Sequence, residues 1–399
     1  MAHKAFKTEL KPNNKQKTLF TKHAGCSRFV YNWALGLLIE DYESGRKEIE
    51  PTKFTLISLL NKRKHTEFPW MREVSADTQD FTLGNLETAF KRFFKNIKNK
   101  KAKAGFPRFK KRGKRDSFSL KQSITVENNR IKLPRIGWVR LKRHDYIPLG
   151  KPKSVTISLK AGRWFISVLY EFTPVKQEYN DDILGVDLGI KNLATCSDGT
   201  VFKNNERIKY YEKQKDQLQR KLKRQKKGSN SSKRTLLLLQ KKYVKIANIR
   251  KDLLHKTTSH LVRTKPHGTI VLEDLHVKGM MKNHCLAGSL SRVSLGEFRR
   301  QVEYKSKWYG KTVIIADRFY PSSKMDHKTG EINKDLKLSD RIIHHPDGTQ
   351  TDRDLNAAIN LKNYPARSVG GGDKRFIGSN LEPRCLSMKP EENIEDVRV

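Results

Sequence analysis

Acidic residues are scarce: the 399-residue chain has 42 Asp plus Glu against 83 Lys plus Arg, a formal net charge of +41. An excess of that size goes beyond what solubility asks for. It implies a polyanionic partner, with nucleic acid as the default. Cysteine is scarcer still. Cys26, Cys196, Cys285 and Cys385 are scattered and none stands in a CxxC pair, which excludes a disulfide-stapled scaffold and suggests a reduced compartment. No apolar run is long enough to cross a bilayer, so no membrane partner is expected. The opening MAHKAFKTEL lacks the apolar core of a secretory leader. The length allows two or three domains with a sizeable core.

In a chain this poor in acids, a carboxylate inside an apolar strand stands out. Residues 183–200, ILGVDLGIKNLATCSDGT, predict a β-hairpin with Asp187 in its first strand and a turn at Asp198 and Gly199. Burying an unpaired carboxylate costs free energy, and proteins retain one chiefly to hold a cation or to do chemistry. Gly185 and Gly189 flank it, so backbone or ligand can approach closely. Two further segments supply partners. GTIVLEDL, residues 268–275, is an apolar strand with Glu273 at its end, and TDRDLNAAINL, residues 351–361, opens with Asp352 and Asp354 and continues as a helix. Three carboxylates on one sheet-and-helix platform form an all-oxygen site that suits Mg²⁺ or Mn²⁺. Two such ions about 4 Å apart would clamp the attacking and leaving oxygens of a phosphodiester.

Residues 3–10 alternate and predict a strand. A helical region follows, with Leu19, Phe20, Phe29, Val30, Trp33, Leu37 and Leu38 on one face. Arg28 and Asn32 on that helix are candidate nucleic-acid contacts. Leu83, Leu86, Phe90 and Phe93 mark a second helix. Residues 95–115, KNIKNKKAKAGFPRFKKRGKR, are basic at about every second position with Phe106 and Phe109 interleaved. Such a run repels itself. Against a nucleic-acid backbone its lysines and arginines neutralise phosphates while the aromatics stack on bases; Lys100, Lys101, Lys103, Arg108, Lys110, Lys111 and Arg112 are the candidate contacts. From 116 to 172 the period changes to two, with strands expected at 131–133, 136–141, 155–159 and 164–170. With the first strand they predict a barrel or strongly bent sheet interrupted by the helices. Residues 205–263 predict a helical hairpin broken at 228–232, whose second arm carries Leu236, Leu239, Tyr243, Ile246, Ile249 and Leu253. A helix at 297–309, a strand at 311–316, an irregular polar stretch to 351 and a disordered tail beyond 365 complete the reading.

GVDLGIKNLATCSDGT, IVLEDL and DRDLNAAINL stand in the order and spacing of the three RuvC motifs of TnpB, and SRFVYN, GFPRFKK, EYKSKWYG and YPSSK are also similar to that family. TnpB proteins are transposon-encoded RNA-guided nucleases related to type V CRISPR effectors, and the resemblance spans about residues 3–363. It implies an α/β multidomain fold: an RNase H-like RuvC nuclease domain (181–318, with a helical insertion at 205–264, closed by a last helix at 352–364), a β-barrel wedge domain (1–10 and 105–180) and a helical recognition lobe (11–104). Its implied partners are a guide RNA (ωRNA or reRNA) and target double-stranded DNA, bound by one protein chain. The implied setting is the cytoplasm of a prokaryote, in association with the nucleoid. The activity it implies is guided cleavage of DNA beside a short transposon-adjacent motif, with Asp187, Glu273 and Asp354 as catalytic acids holding two Mg²⁺ or Mn²⁺. Asp352 then reads as a helix N-terminal carboxylate. The other reading is an RNA-guided DNA-binding regulator with weak or no cleavage.

Lys4 and Arg28, with the basic run, are expected on the guide scaffold. Ser75, Thr78 and Gln79 begin the second helix of the lobe with polar groups that either reach base edges, Gln79 suiting adenine, or cap the helix. One departure from the family concerns its two zinc-holding CxxC pairs, whose positions here fall on Asp326, Thr329 and His345. Asp326, His327, His344 and His345 could rebuild a site. The expectation is nevertheless no zinc, with residues 319–351 mobile or held by packing of Leu336, Leu338, Ile342 and Ile343.

Overall fold

Period-two alternation and helical recurrence partition the chain into elements much as the sequence pattern predicts. The computed structural model describes residues 2–100, 104–174, 178–337 and 340–370. The candidate contacts Lys101 and Lys103, the packing residue Leu338 and the expected tail from 371 lie outside the described residues. In chain order the elements are β1 (Ala2–Lys11), α1 (Asn14–Glu43), α2 (Lys53–Lys64), a 3-10 turn (Pro69–Glu73), α3 (Ala76–Lys98), β2 (Ser117–Leu120), β3 (Thr125–Val126), β4 (Arg130–Leu133), β5 (Gly137–Leu141), β6 (Ser154–Lys160), β7 (Arg163–Phe172), β8 (Asn180–Asp187), β9 (Asn192–Cys196), β10 (Val201–Lys203), α4 (Arg207–Arg224), α5 (Asn230–Arg263), β11 (His267–Glu273), α6 (Val277–Met280), α7 (His284–Val293), α8 (Leu295–Tyr309), β12 (Thr312–Ala316), β13 (Ile342–His344), β14 (Gln350–Asp352) and α9 (Arg353–Gly370). They form two compact units, Met1–Val175 with Glu206–Ile249, and Lys176–Asn205 with Arg250–Val399.

The first unit holds a seven-stranded sheet of order β2-β6-β7-β1-β5-β4-β3. Its long strand β1 pairs antiparallel with β7 from Ala2↔Phe172 to Glu9↔Phe165, then passes to β5 at Leu10↔Leu141. That handover bends the sheet around one core, in which Ile131, Val139, Val155, Ile157, Ile166 and Val168 from alternate positions pack with Phe20 and Ala24 of α1. Asn13 starts α1 with a reciprocal capping box to Gln16. A separate helical core gathers Val30, Leu35, Leu56, Leu60, Met71, Leu83 and Leu86. In the helical hairpin, Gln219 donates to the Tyr243 hydroxyl at 2.6 Å. Leu239 and Ile246 of the expected stripe are buried, whereas Leu236 is exposed.

The second unit is built on a five-stranded sheet of order β10-β9-β8-β11-β12. Strands β8, β11 and β12 run parallel, and β9 and β10 return antiparallel. Parallel strands are stable when both faces are covered, which accounts for the continuous apolar runs Leu184–Val186 and Ile270–Leu272 broken only at Gly185. One face packs on Leu254, Leu261 and Val262 of α5 and on Leu290, Val293, Phe298 and Val302. On the other, Val271 and Ala316 meet Leu361 and Tyr364 of α9. A Cβ on Gly185 would stand 2.0 Å from the Ala358 carbonyl oxygen, so glycine is what lets α9 lie directly on β8. The helix continues through Pro365 to Gly370, beyond the 365 boundary expected for the tail. Leu361 and Tyr364 anchor the turn before the proline against the sheet.

Candidate active site at the carboxyl edge of the sheet

Asp187 is the last residue of β8 and Glu273 the last of β11. The two strands are parallel neighbours in register at Val186↔Leu272, so both acids emerge at the same edge, where open α/β sheets bind ligands. Asp354 lies in the first turn of α9, the helix that Gly185 admits onto β8. The Asp352 carboxylate accepts from the backbone N–H of Asp354 at 2.9 Å and of Leu355 at 3.3 Å. It therefore caps the helix, while the Asp354 carboxylate is close enough to act on Asp187 and lies 4.0 Å from the Arg341 guanidinium.

The electrostatics of the acids follow from burial. Asp187 is 8% exposed. Its pKa is raised well above the ordinary carboxyl value, first by desolvation, then by Glu273 and Asp354, with the Arg353 guanidinium opposing. Glu273 is also raised by burial, against a lowering pull from the Ser322 hydroxyl and Arg353. A buried acid raised by two acidic neighbours is a demand for positive charge at this edge. Carboxylate oxygens are the hard donors that Mg²⁺ or Mn²⁺ takes, so the residues fit such ions. The three acids are spread more widely than a cluster with all ligand atoms within 4.8 Å. Among the described residues that tight spacing belongs to Asp326, His327 and His345.

Several residues that hold this edge escaped the sequence reading. Ser322, 3% exposed, donates from Oγ to Glu273 Oε1 at 2.6 Å. Asn360 Nδ2 donates to the carbonyls of Ser322 and Met325 at 2.9 and 2.6 Å, and Asn356 Nδ2 to Met325 at 2.7 Å. Both asparagines are fully buried. The sequence signal was their i, i+4 spacing on the apolar face of a helix, where a buried amide needs backbone partners. Beside Glu273 a cavity of ≈ 270 Å³ is lined among others by Asp274, Arg318, Ser322, Lys324 and Arg353.

The loop that departs from the family is held by hydrogen bonds. His345 Nδ1 meets the Asp326 carboxylate at 2.8 Å and its Nε2 meets the Thr351 hydroxyl at 2.8 Å. One neutral tautomer, donating from Nδ1 and accepting at Nε2, satisfies all three side chains. Burial, the largest single cause, raises the Asp326 pKa, but the His345 side chain and the backbone N–H groups of Lys328 and Thr329 together outweigh it and the net shift is down. His327 Nδ1 lies 2.9 Å from Asn356 Oδ1, which also accepts from the His327 backbone N–H at 3.0 Å. The adjacent His344 is exposed. The expected packing is corrected in part: Ile343 is buried, but Ile342 is 49% exposed because it alternates outward on β13. A structural zinc takes four ligands. Here three such groups come together, each already bonded within the protein, and Thr329, at a position where the family has a cysteine, meets Asp326 through its backbone.

The nucleic-acid candidates divide. Ser75, Thr78 and Gln79 are 9%, 0% and 4% exposed and face the interior, so neither base reading nor side-chain capping describes them. Ser75 makes no side-chain cap; its backbone N–H donates to His23 Nε2 at 3.1 Å instead. Polar residues at the start of a helix looked accessible, yet the helix packs with that turn inward. Asn32 brackets the backbone of Lys110, donating to its carbonyl at 3.0 Å and accepting from its N–H at 2.7 Å. Arg28 pairs with Asp116 at 3.3 Å. Lys110 lies 4.0 Å over the Tyr31 ring, and burial lowers its pKa to about 8. These three tie the basic strap, residues 104–116, to α1. Lys100, Arg108, Lys111 and Arg112 stay exposed, and Lys4 is half-buried beside Phe6.

The family model OrfB_IS605, described as a probable transposase, matches residues 167–284; a helix-turn-helix model of the same family matches 1–47, and a Cas12f1-like TNB domain matches 296–361. The chain is 35% identical over 98% of its length, and 98% of the relative's, to a protein of Escherichia coli K12 named as an RNA-guided DNA endonuclease, InsQ. It is 32% identical over 90% of its length, and 88% of the relative's, to a Streptomyces pristinaespiralis protein also named as an RNA-guided DNA endonuclease. In fold it is similar to the protein of a Cas12f1–sgRNA–target DNA complex, with a TM-score of 0.56 at 15% identity, covering 86% of this chain and 82% of that one.

Proposed function

The chain belongs to the TnpB family of transposon-encoded, RNA-guided nucleases, and on that premise we propose that it is an RNA-guided DNA endonuclease cutting at the carboxyl edge of the five-stranded sheet. The observation that carries the reading is the placement of Asp187, Glu273 and Asp354. Two end adjacent parallel strands and the third opens the helix packed on one of them. We read this unit as the RNase H-like nuclease domain, and the seven-stranded sheet and helical core of the other unit as the wedge and recognition lobe.

Asp187, Glu273 and Asp354 would hold two Mg²⁺ or Mn²⁺. Bound there, the metal ions would supply the positive charge that stabilises the attacking and leaving oxygens of a phosphodiester. The protein's part is to aim the oxygens. Ser322 fixes one oxygen of Glu273, Asp352 caps α9 at the turn that carries Asp354, and Arg353 brings a compensating charge. The exposed basic residues Lys100, Arg108, Lys111 and Arg112 are the proposed phosphate contacts of the guide RNA, and Lys4 on β1 is a further one. A hydrogen-bonded staple, Asp326–His345–Thr351, takes the structural place of a zinc.

Retention of all three acids favours cleavage over a binding-only regulator. The test is to sequence RNA that co-purifies with the protein and offer the complex a plasmid carrying a target matched to that RNA beside a randomised flank. Cutting only of matched targets beside a short defined motif is expected. Matched binding with no cutting at any metal concentration would transfer support to the regulator.

A further inference from the structure

We propose that Phe319 is a stacking platform for an unpaired base of the DNA strand being cut. The proposal rests on the nuclease reading above. Phe319 is 87% exposed, the most exposed of the large apolar side chains described. It occupies the centre of a tight turn, where Gly, Asn, Asp or Ser is the usual choice. That turn follows β12 directly, at the edge where β8 and β11 end on Asp187 and Glu273. Glu273 stands in register with Ala316, three residues before Phe319. Strand spacing and chain reach therefore keep the two residues within roughly 15 Å.

The turn is fixed. Tyr320 N–H donates to the Asp317 carbonyl at 3.1 Å and Phe319 N–H to Asp317 Oδ1 at 2.8 Å. Arg318 is tied to Asp274 at 2.7 Å. Tyr320 donates to the Asn360 carbonyl at 3.0 Å and packs edge-on against Tyr364. A rigid base thus presents one apolar ring to solvent, while both its neighbours line the cavity beside Glu273 with Lys324 and Arg353. A ring next to guanidinium and ammonium groups suits a single-stranded polyanion whose bases each carry a π-face. A strand led to the acids loses its stacking partner there, and the ring replaces it.

The test uses the full chain with its guide RNA and a target whose cut strand carries one abasic nucleotide at successive positions around the mapped cut. Phe319→Ala should slow cutting of intact target about tenfold, the scale of one base–aromatic stack, without changing guided binding. Phe319→Trp should restore the rate. For the wild type, one abasic position near the cut should cause the same loss, and at that position Phe319→Ala should add nothing. Wild-type cutting by Phe319→Ala, or a loss that adds to every abasic position, would overturn the proposal and assign the ring to another contact. If the wild type cuts no matched target, the nuclease reading itself has failed and the proposal falls with it.

Discussion

The acid edge and the basic strap look like mirror images in the sequence and behave differently in the fold. Each is a concentration of charge with apolar residues between. At the strap, Asp116, the Lys110 backbone and the Lys110 side chain are bound to α1 by Arg28, Asn32 and the Tyr31 ring, so these groups bind the chain to itself. At the edge, Asp187 is buried and half-buried Glu273 stands beside it, so that Glu273 and Asp354 sharpen rather than relieve the demand of Asp187 for positive charge. In a chain with +41 net charge, a cation can always find a structural use, so its presence says little about its role. A minority-sign charge at the end of an apolar strand has no such use. It is the better marker of chemistry.

The largest effect expected at the edge is complete. A general divalent chelator should abolish guided cleavage, Mg²⁺ or Mn²⁺ should restore it, and a zinc-selective chelator should leave it unchanged. Elemental analysis should then find no stoichiometric zinc, because the hydrogen-bonded staple does not depend on one; one zinc per chain would break that part of the account. Next comes Gly185→Ala. Its added Cβ would meet the Ala358 carbonyl at 2.0 Å and the Lys362 amide at 2.4 Å, both backbone, so α9 must leave β8. A loss above about 4 kcal/mol, seen as failure to obtain folded protein, is expected.

Asn32→Ala should cost about 1–3 kcal/mol by orphaning the Lys110 amide and open the strap to limited proteolysis. Lys111→Ala and Arg112→Ala should each leave stability within about 0.5 kcal/mol and lower the salt slope of RNA binding by about 0.7–0.9. The reverse pattern would erase the division within the strap. The smallest effect is a gain: Asp187→Asn should raise the melting temperature of metal-free protein by a few degrees, roughly 2–4 °C. The sign follows from the raised folded-state pKa. Protonated Asp187 contributes stability that is complete below the unfolded value of 3.8 and is lost as pH rises through the folded value. The gain should therefore grow with pH and vanish when Mg²⁺ is added to the wild type.

Much of this fold was legible because burial and period agree. The alternation in β4 to β7 and the apolar runs of β8 and β11 are set by which face meets the core. The acids could be read for the same reason, since only a strand interior makes an acid conspicuous. Strand β2, SFSL, and the two-residue β3 carry too few apolar positions to declare themselves. Ser75, Thr78 and Gln79 were misread because polarity predicts exposure only until a neighbouring helix covers the turn. The staple at Asp326, His345 and Thr351 is made by residues 19 and 6 positions apart; the β13–β14 hairpin accounts for the second pairing, and no local pattern announces the first.

The central claim is that Asp187 serves cleavage and not guided binding. The most direct measurement compares wild type and Asp187→Ala, each loaded with the same guide RNA, for binding and for cutting of one matched target in Mg²⁺. The account predicts equal binding within about twofold and a loss of cutting of at least about a thousandfold. Cutting by Asp187→Ala at near the wild-type rate would contradict it.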